Sequence, residues 1–406
     1  GGQVVYVLEL SRKLAQLGYR VDIWTRRFDD QPEMEEVDED VRLIRVPCGS
    51  NEFIAKEFLH KHIPQWCRNA YQFIQKENLR YDFINSHYWD AGLAGQSLSE
   101  MLDCTHIHTP HSLGTWKKKK MEEDFPDDVD KFEETYNFSQ RIRNETAIYY
   151  ECDFLVATSP IQMDMFKVDY DVPSEKLIMI PPGYDDNRFF PVSHATRDTI
   201  REQFGFEGIV IGSIGRLARN KGFDLLVDAF SIVAERFDYA RLFMPVGSES
   251  KEQAENPMLE ELVEKVHDLG LEKRVTITES LPDELMPDYY RAIDIFCLSS
   301  RYEPFGMTAV EAMASGAPTV VTQHGGLYRT LQYGVNALFA DTFDKYDFGI
   351  TICKLLEYRQ MRERVAQNGA HIARSLFTWT GIAQQLIAAV EGSKFPRYEI
   401  AEPIAP

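Results

Sequence analysis

Short apolar runs alternate with longer amphipathic segments along most of the chain. Runs such as VRLIRVP (residues 41–47), RLFMPVG (241–247) and IDIFCL (293–298) have the length and composition of buried strands. The segments over residues 58–76 and 259–270 instead place apolar side chains at helical spacing. Strands that alternate with helices of this kind predict mostly parallel sheets covered on both faces. We therefore expect an α/β protein whose ligands bind at the carboxyl ends of its strands.

The length of the chain, 406 residues, predicts two domains. Residues 178–191 contain three prolines and a glycine after a short strand, which is typical of an interdomain connector. We place the N-terminal domain at residues 1–182 and the second domain at 183–378. The Gly1-Gly2 start of the first helix, whose apolar side chains trace one face over residues 4–17, normally follows a strand. We expect such a first strand although the printed sequence does not contain it.

Charge and cysteine content narrow the class of protein. The formal charge of −20 argues against a nucleic-acid or anionic-membrane partner, because such partners select basic surfaces. The six cysteines are scattered and form no C-x-x-C pair, which indicates buried thiols in a reducing cytoplasm. No run approaches 18 uninterrupted apolar residues, so we expect a cytoplasmic protein that neither spans a membrane nor is exported.

The stretch SSRYEPFGMTAVEAMASG, residues 299–316, carries the clearest chemical signal. It follows the predicted strand over residues 293–298 and continues as a turn and the start of a helix. The free N–H groups and the positive dipole end of that helix favour an oxygen-rich, anionic ligand. Glu303 lies in the turn and Glu311 about five residues into the helix, so the two carboxylates would meet separate sets of hydroxyls on one ligand.

A second loop supplies positive charge. Residues 209–230 predict a strand, a loop and a helix, and the loop holds Arg216 and Lys221 near the helix N-terminus. Asp38, Glu39 and Asp40 are the nearest approach to a D-x-D motif, but we expect them in a solvated acidic turn before a strand. We therefore predict no metal site and no required cofactor, with Arg216 and Lys221 supplying fixed positive charge for an anionic ligand and Mg²⁺ at most stimulatory.

Glu303 and Glu311, with PFGMTAV between them, resemble the donor-sugar signature of family 4 of the retaining GT-B glycosyltransferases. The resemblance implies two Rossmann-like domains that face each other across a cleft, with a C-terminal helix and tail (379–406) packing back on the first domain. It implies that Glu303 and the following backbone amides bind the donor hexose and that Glu311 binds the ribose. It further implies that Arg216 and Lys221 clamp the diphosphate. The backbone amides in question are those of Phe305, Gly306, Met307 and Thr308.

The string TPHSLGTWKKKKM, residues 109–121, resembles the acceptor region of sucrose-phosphate synthases and, more closely, that of the branch forming mannosylfructose phosphate. This resemblance implies that Ser112, Lys117 and Arg141 hold the phosphate of fructose 6-phosphate, with Arg143 as the reserve for Arg141. Tyr88 would line the same pocket and His111 would lie beside the transferred hexose, where it joins Arg216, Lys221 and Glu303 as a catalytic residue. Further acceptor-binding candidates are Gly2 and Gln3.

These resemblances imply a retaining transfer of a hexose from a nucleotide sugar, with GDP-mannose the best match, to fructose 6-phosphate. Two alternatives stay open: a sucrose-phosphate synthase that uses UDP-glucose, and a non-catalytic regulatory protein that binds sugar nucleotides. Arg329 departs from the glutamate that many relatives carry after the Gly325-Gly326 pair, which weakens any transfer of donor preference from glucosyl enzymes. A sugar phosphatase acting on the product would be a natural partner.

Overall fold

A computed structural model describes residues 2–124, 129–247, 257–303 and 305–392. It divides into two units. Unit 1 comprises residues 1–158, 162–181 and the last helix from Ile382 onward, and unit 2 comprises residues 159–161 and 182–381. Parallel strands alternate with helices in both units, so the α/β prediction is confirmed. Among the described helices, none is both long and apolar enough to cross a membrane. All six cysteines are free thiols.

The described residues of unit 1 form seven strands in two sheets. The strand order is β1-β3-β2 in the first sheet and β4-β5-β6-β7 in the second, and every pair is parallel except β2 with β3. The strands are β1 Val21–Arg27, β2 Met34–Asp38, β3 Val41–Pro47, β4 Phe83–His87, β5 Thr105–Thr109, β6 Phe154–Ala157 and β7 Leu177–Met179. The helices are α1 Gly2–Gln16, α2 Ile63–Lys76, α3 Trp89–Leu102, α4 Gly114–Asp124, α5 Val129–Tyr136, α6 Phe138–Glu151 and α7 Pro160–Asp169.

Two sequence predictions in unit 1 needed correction. Asp38, expected in an acidic turn, ends strand β2 and accepts an ion pair from Arg12. The sequence FINSHYWDAG, residues 83–92, also predicts a strand. That strand ends at His87, because Tyr88 adopts φ = 79° and α3 starts at Trp89. That sharp turn places Tyr88 at the carboxyl edge of the sheet.

Helix α3 approaches strand β5 unusually closely. A Cβ at Gly92 would stand 2.7 Å from the His108 ring, and a Cβ at Gly95 would stand 2.5 Å from the His106 ring. Both histidines are buried on β5, and Ser86 Oγ on β4 lies 2.8 Å from a ring nitrogen of each. The two glycines therefore make room for a layer of imidazoles that a larger residue would displace.

The first sheet and the second sheet of unit 1 leave a cavity of about 670 Å³ between them. Its lining includes β1, β4 and the α1 face predicted to be buried, yet Val4 on that face is 59% exposed. The amino ends of the two strands are linked by Tyr81, whose Oη donates to Asp22 Oδ2 at 2.6 Å.

Unit 2 is built around one sheet of six parallel strands in the order β10-β9-β8-β11-β12-β13. The strands are β8 Ile209–Gly212, β9 Ala240–Pro245, β10 Val275–Thr278, β11 Ile295–Leu298, β12 Thr319–Thr322 and β13 Leu338–Ala340. The helices are α8 His194–Phe204, α9 Phe223–Arg236, α10 Pro257–Asp268, α11 Met286–Ala292, α12 Met307–Ala314, α13 Lys345–Glu357 and α14 Arg359–Leu376. Helix α15, Trp379–Glu391, passes from unit 2 into unit 1.

The strand order of unit 2 reverses between β8 and β11. Apolar side chains cover both faces of the sheet, with clusters that include Phe230 and Phe348 on one side and Phe296 and Tyr290 on the other. Such burial on both faces explains why these strands appear in the sequence as continuous apolar runs. The carboxyl ends of β8 and β11 meet at the reversal, which is where open α/β sheets bind ligands.

Candidate active site

The turn after β11 brings Glu303 to the carboxyl edge of the unit 2 sheet. Gly306 (φ = 110°) immediately precedes helix α12, and a Cβ there would stand 2.7 Å from Leu298. The Glu303 carboxylate accepts a hydrogen bond from Ser300 Oγ at 3.2 Å and an ion pair from Lys221 Nζ at 2.6 Å. The structure therefore joins two of the predicted donor-site residues, one from each loop at the reversal.

Backbone contacts hold the Lys221 loop against the end of β11. Ser299 Oγ donates to the Lys221 carbonyl at 2.8 Å, and the Arg301 N–H donates to the Asn220 carbonyl at 2.8 Å. Gly222 takes φ = 64° and lies so close to the Ser299 carbonyl that a Cβ would stand 2.1 Å from it. A glycine is thus required directly after Lys221. Arg216 lies in the same loop and is exposed.

Glu311 lies one turn deeper than Glu303. It is the fifth residue of α12, as the sequence predicts, and Tyr290 Oη donates to its Oε2 at 3.0 Å. Burial raises the pKa of Glu311 to about 7. This carboxyl group can therefore accept or donate a hydrogen bond near neutral pH.

The other residues predicted to bind the donor sugar are available mainly through their backbone groups. The Phe305 side chain is buried against Phe377, with ring centroids 5.4 Å apart, while Met307 and Thr308 are half-buried in the first turn of α12. Gly326 N–H donates to the Glu303 carbonyl at 3.0 Å, so the Gly325-Gly326 loop packs on the Glu303 turn. Arg329, in the following 3-10 turn, is buried.

In unit 1, Arg141 is buried and held from several sides. Its Nε donates to Glu145 Oε1 at 2.7 Å, and Nη2 donates to the Ser112 carbonyl at 2.8 Å and to Ser112 Oγ at 3.2 Å. Nη1 donates to Tyr88 Oη at 3.2 Å. Burial opposes the charge, but the Glu145 carboxylate raises the pKa of Arg141 above its ordinary value. Arg143, the reserve prediction, is exposed on the same helix.

Two lysines add positive charge beside Arg141. Lys117 Nζ lies 4.9 Å from the Tyr136 ring centroid, and Lys56 Nζ lies 5.4 Å from that of Tyr88. Burial, followed by the charges of Lys56 and Arg141, lowers the pKa of Lys117. Cations that disfavour one another in this way leave a place for an anion. Lys118, by contrast, pairs with Glu122 near the surface.

His111 follows strand β5 in a left-handed conformation with φ = 59°. Its Nε2 lies 3.0 Å from His87 Nδ1, the two rings stack, and Tyr6 packs edge-on against both. Burial lowers the pKa of His111 to about 4, so the ring is neutral at physiological pH. Gln3, in the first turn of α1 next to Gly2, donates from Nε2 to the His87 carbonyl at 3.2 Å. The histidine pair thus lies beside the start of α1.

Three residues of this region were not among the candidate site residues predicted from the sequence. Glu145 stands four residues after Arg141, and that helical spacing of opposite charges was a usable signal. Lys56 and His87 gave no such signal, because their partners come from distant elements. Among the described residues, no cluster of three or more His, Cys, Asp or Glu side chains could hold a metal ion.

Family models cover most of the chain. Residues 1–188 match the model described as Glycosyltransferase Family 4, and residues 196–372 match the one described as Glycosyl transferases group 1. The chain therefore belongs to this glycosyltransferase family and has its GT-B fold, as the motif around Glu303 and Glu311 predicts. Membership implies a nucleotide-sugar donor and a sugar acceptor.

Three relatives define the neighbourhood further. The chain is 60% identical to mannosylfructose-phosphate synthase of Agrobacterium fabrum over 392 residues. This matched region covers 97% of this chain and 86% of that protein. It is 30% identical to D-inositol 3-phosphate glycosyltransferase of Corynebacterium urealyticum, covering 95% of this chain and 89% of that protein. Among solved structures, sucrose-phosphate synthase from Thermosynechococcus elongatus superposes with a TM-score of 0.69 at 27% identity, covering 97% and 93% of the two chains.

Proposed function

We propose that this chain transfers a mannosyl group from GDP-mannose to fructose 6-phosphate with retention of configuration and without a metal ion. The observation that carries the proposal is the cation cluster of Lys56, Lys117 and Arg141 in a protein whose net charge is −20. The names of all three relatives contain a phosphorylated sugar or inositol. The mannosyl donor is proposed from the 60% identical relative.

The phosphate of the acceptor would bind beside the Arg141 guanidinium, whose orientation is fixed by its neighbours. Glu145 takes one side of the guanidinium through Nε, and Nη1 and Nη2 point toward Tyr88 and Ser112. A phosphate dianion needs both directional donors and positive charge, which a guanidinium and an ammonium supply together. Lys117 would provide that ammonium, and binding an anion would relieve its repulsion from Lys56 and Arg141.

The donor diphosphate would replace the Glu303 carboxylate as the ion-pair partner of Lys221. Without a ligand, Lys221 is neutralised by Glu303 at 2.6 Å. A bound diphosphate would take over Lys221, with Arg216 beside it, and free the Glu303 carboxylate to accept hydrogen bonds from the hexose hydroxyls. Glu311, one turn deeper, would bind the ribose.

In the transfer step, the bond between the anomeric carbon and the diphosphate oxygen breaks. The acceptor hydroxyl forms the new glycosidic bond on the same face, and its proton passes to the departing phosphate. Lys221 and Arg216 stabilise the charge that develops on that phosphate. His111 is neutral and would orient the hexose through its ring or backbone carbonyl, so it is not a covalent catalyst.

A substrate panel tests the proposal. The chain is incubated with fructose 6-phosphate and, in turn, GDP-mannose, UDP-glucose, ADP-glucose and GDP-glucose, each with and without EDTA, and nucleoside diphosphate release is measured. We expect release mainly from GDP-mannose and no loss with EDTA. Unphosphorylated fructose should be a poor acceptor, because the charge-assisted bonds it lacks contribute about 1.5–3 kcal/mol each.

Each alternative has its own outcome in the panel. The structural similarity to a sucrose-phosphate synthase favours that activity as the second candidate, and preference for UDP-glucose would establish it. Equal use of free fructose would refute the phosphate role of Lys117 and Arg141. Inhibition by EDTA that Mg²⁺ reverses would refute the metal-free mechanism, and binding without turnover would point to a regulatory protein.

A further inference from the structure

One arginine of unit 2 links the loop that carries Lys221 to the turn that carries Glu303. Arg301 lies two residues before Glu303, and its backbone N–H donates to the Asn220 carbonyl at 2.8 Å. Its side chain reaches the same loop, where Nη1 donates to the Arg219 carbonyl at 2.8 Å. The two consecutive carbonyls directly before Lys221 thus accept hydrogen bonds from a single residue at the end of β11.

The Arg301 guanidinium is itself oriented by a carboxylate. Asp224, the second residue of α9, accepts from Arg301 Nη1 at 2.7 Å and from Nη2 at 2.5 Å, with one bond to each carboxylate oxygen. A bidentate pair of this kind fixes the plane of the guanidinium as well as its position. The two side chains are 31% and 37% exposed, so we expect the pair to matter for geometry more than for stability.

The sequence of the Lys221 loop gives the loop few restraints of its own. The 3-10 turn Arg219–Lys221 is three residues long, and Gly222 follows it at the N-cap position of α9 with φ = 64°. A glycine at this position has no side chain that could cap the helix, and it adds conformational freedom to the backbone. The two hydrogen bonds from Arg301 supply a restraint that these residues lack.

We propose that Arg301 is a positioning residue for the transfer reaction, which holds the Lys221 ammonium in place for the diphosphate of the donor. In the ligand-free chain that ammonium is paired with Glu303, and it can exchange this partner for a phosphate oxygen without misplacement only if its backbone is fixed. Misplacing a catalytic group by about 1 Å can cost a factor of about 10² in rate. The inference rests on the role that the proposed function gives to Lys221, but the effect of Arg301 on the loop can be measured without any substrate.

Amide hydrogen exchange measures that effect directly. The N–H groups of Lys221 and Gly222 donate to carbonyls within the loop at 2.9 Å and 3.2 Å. In Arg301→Met both amides should exchange about tenfold faster or more, because the loop loses the side-chain bonds that keep it closed.

Lys265→Met is the matched control for both measurements. Lys265 Nζ pairs with Asp228 Oδ2 at 2.6 Å, one turn further along α9, and the two side chains are 32% and 28% exposed. This substitution removes a similar ion pair from the same helix and should leave exchange in the loop unchanged. Equal exchange of the loop in Arg301→Met and Lys265→Met would overturn the proposal.

Steady-state kinetics with the substrates found in the panel measure the effect on transfer. Arg301→Met should lower kcat about tenfold or more, with about 10²-fold as the limit set by loss of Lys221 itself. The KM of the acceptor should change less than about twofold, because the predicted acceptor residues lie in unit 1. Lys265→Met should change neither quantity, and a loss shared by both variants would show a general effect of disturbing α9 and would overturn the proposal.

A double variant shows whether Arg301 acts through Lys221. Residues that act as one unit have non-additive effects, so adding Arg301→Met to Lys221→Ala should lower kcat less than about twofold further. Losses that multiply would overturn the proposal. Recovery of turnover on adding Asp224→Asn to Arg301→Met would also overturn it, because Arg301 would then only neutralise that carboxylate. Near wild-type turnover of Lys221→Ala with faster loop exchange in Arg301→Met would refute the proposed role of Lys221 while confirming the restraint on the loop.

Discussion

The two cation sites of this molecule are held in opposite ways. Arg141 in unit 1 is 3% exposed and is bonded to a glutamate that is itself fully buried. Lys221 in unit 2 has a side chain that is 23% exposed and is bonded to Glu303, which is 13% exposed. Both make a short ion pair, yet only the second glutamate belongs to the predicted ligand-binding set.

The difference concerns what happens when a ligand arrives. Glu145 also accepts from the Gly114 N–H and from Tyr170, so it stays in place and leaves two Arg141 nitrogens oriented for an incoming anion. Among the described residues, the Glu303 carboxylate accepts from Ser300 and Lys221. Under the proposed function, a diphosphate would replace its bond to Lys221. One cation is thus positioned by its neighbours, and the other would be released from its glutamate by the proposed ligand.

Among the substitutions, the largest effect on stability should come from removing the buried Arg141 cation. Arg141→Ala leaves the Glu145 carboxyl group buried without its main partner, which should lower the free energy of unfolding by about 3–5 kcal/mol. Arg143→Ala, on the exposed side of the same helix, should change it by less than about 0.5 kcal/mol. Urea titrations measure both variants. Equal stability of the Arg141→Ala and Arg143→Ala variants would mean that the buried ion pair between Arg141 and Glu145 does not stabilise the fold.

Removal of Lys221 should affect turnover more than stability. Lys221→Ala should lower kcat about 10²-fold or more, the scale for losing one fixed stabiliser of a developing charge, while the circular dichroism spectrum stays unchanged. The control is Arg219→Ala in the same loop, whose surface pair with Glu261 is well exposed and should contribute little. Near wild-type turnover of Lys221→Ala would remove its role.

A further prediction concerns the pH dependence of stability and the buried histidines of unit 1. Burial lowers the pKa of His106 and of His111 to about 4, and those of His87 and His108 also fall. Below about pH 6.5 the unfolded chain takes up protons that the folded unit 1 refuses, so stability falls toward pH 4 by at most about 1.4 kcal/mol per pH unit per histidine.

The stability contribution of Glu311 depends on pH in the opposite direction to that of the histidines. Its raised pKa, about 7, gives unit 2 a stability contribution that is complete below pH 4.5 and lost as the pH rises through 7. Four of the five tryptophans lie in unit 1, so tryptophan fluorescence in urea titrations at pH 4.5–7 follows mainly that unit. The four histidines should make its stability rise with pH over this range, and Asp90 and Glu145, whose pKa values burial raises, act in the opposite direction. His267→Gln, at an exposed site in unit 2, should leave the trend unchanged, and a flat profile in the wild type would contradict neutral burial of the four histidines.

Local sequence patterns were sufficient to predict individual helices and strands, but not the contacts between distant elements. The apolar run before residue 299 and the helix formers after Phe305 predicted β11 and α12, because both signals lie within one short stretch. The contact between Lys221 and Glu303 joins residues 82 positions apart and depends on the order of strands in the sheet. Lys56 beside Tyr88 could not be predicted for the same reason, since an exposed lysine outside any helix or strand has no distinguishing periodicity.

Gly92 and Gly95 give helix α3 a property that matters to anyone who redesigns this protein. Helix propensity alone ranks alanine above glycine by about 1 kcal/mol, so a propensity-guided stabilisation scheme would replace both. Here each methyl group would enter the space of a buried imidazole, and the histidines on β5 could not move without disturbing Ser86. Substitutions that strengthen the isolated helix should therefore weaken the domain, so sequence drift along α3 is confined to its outer face.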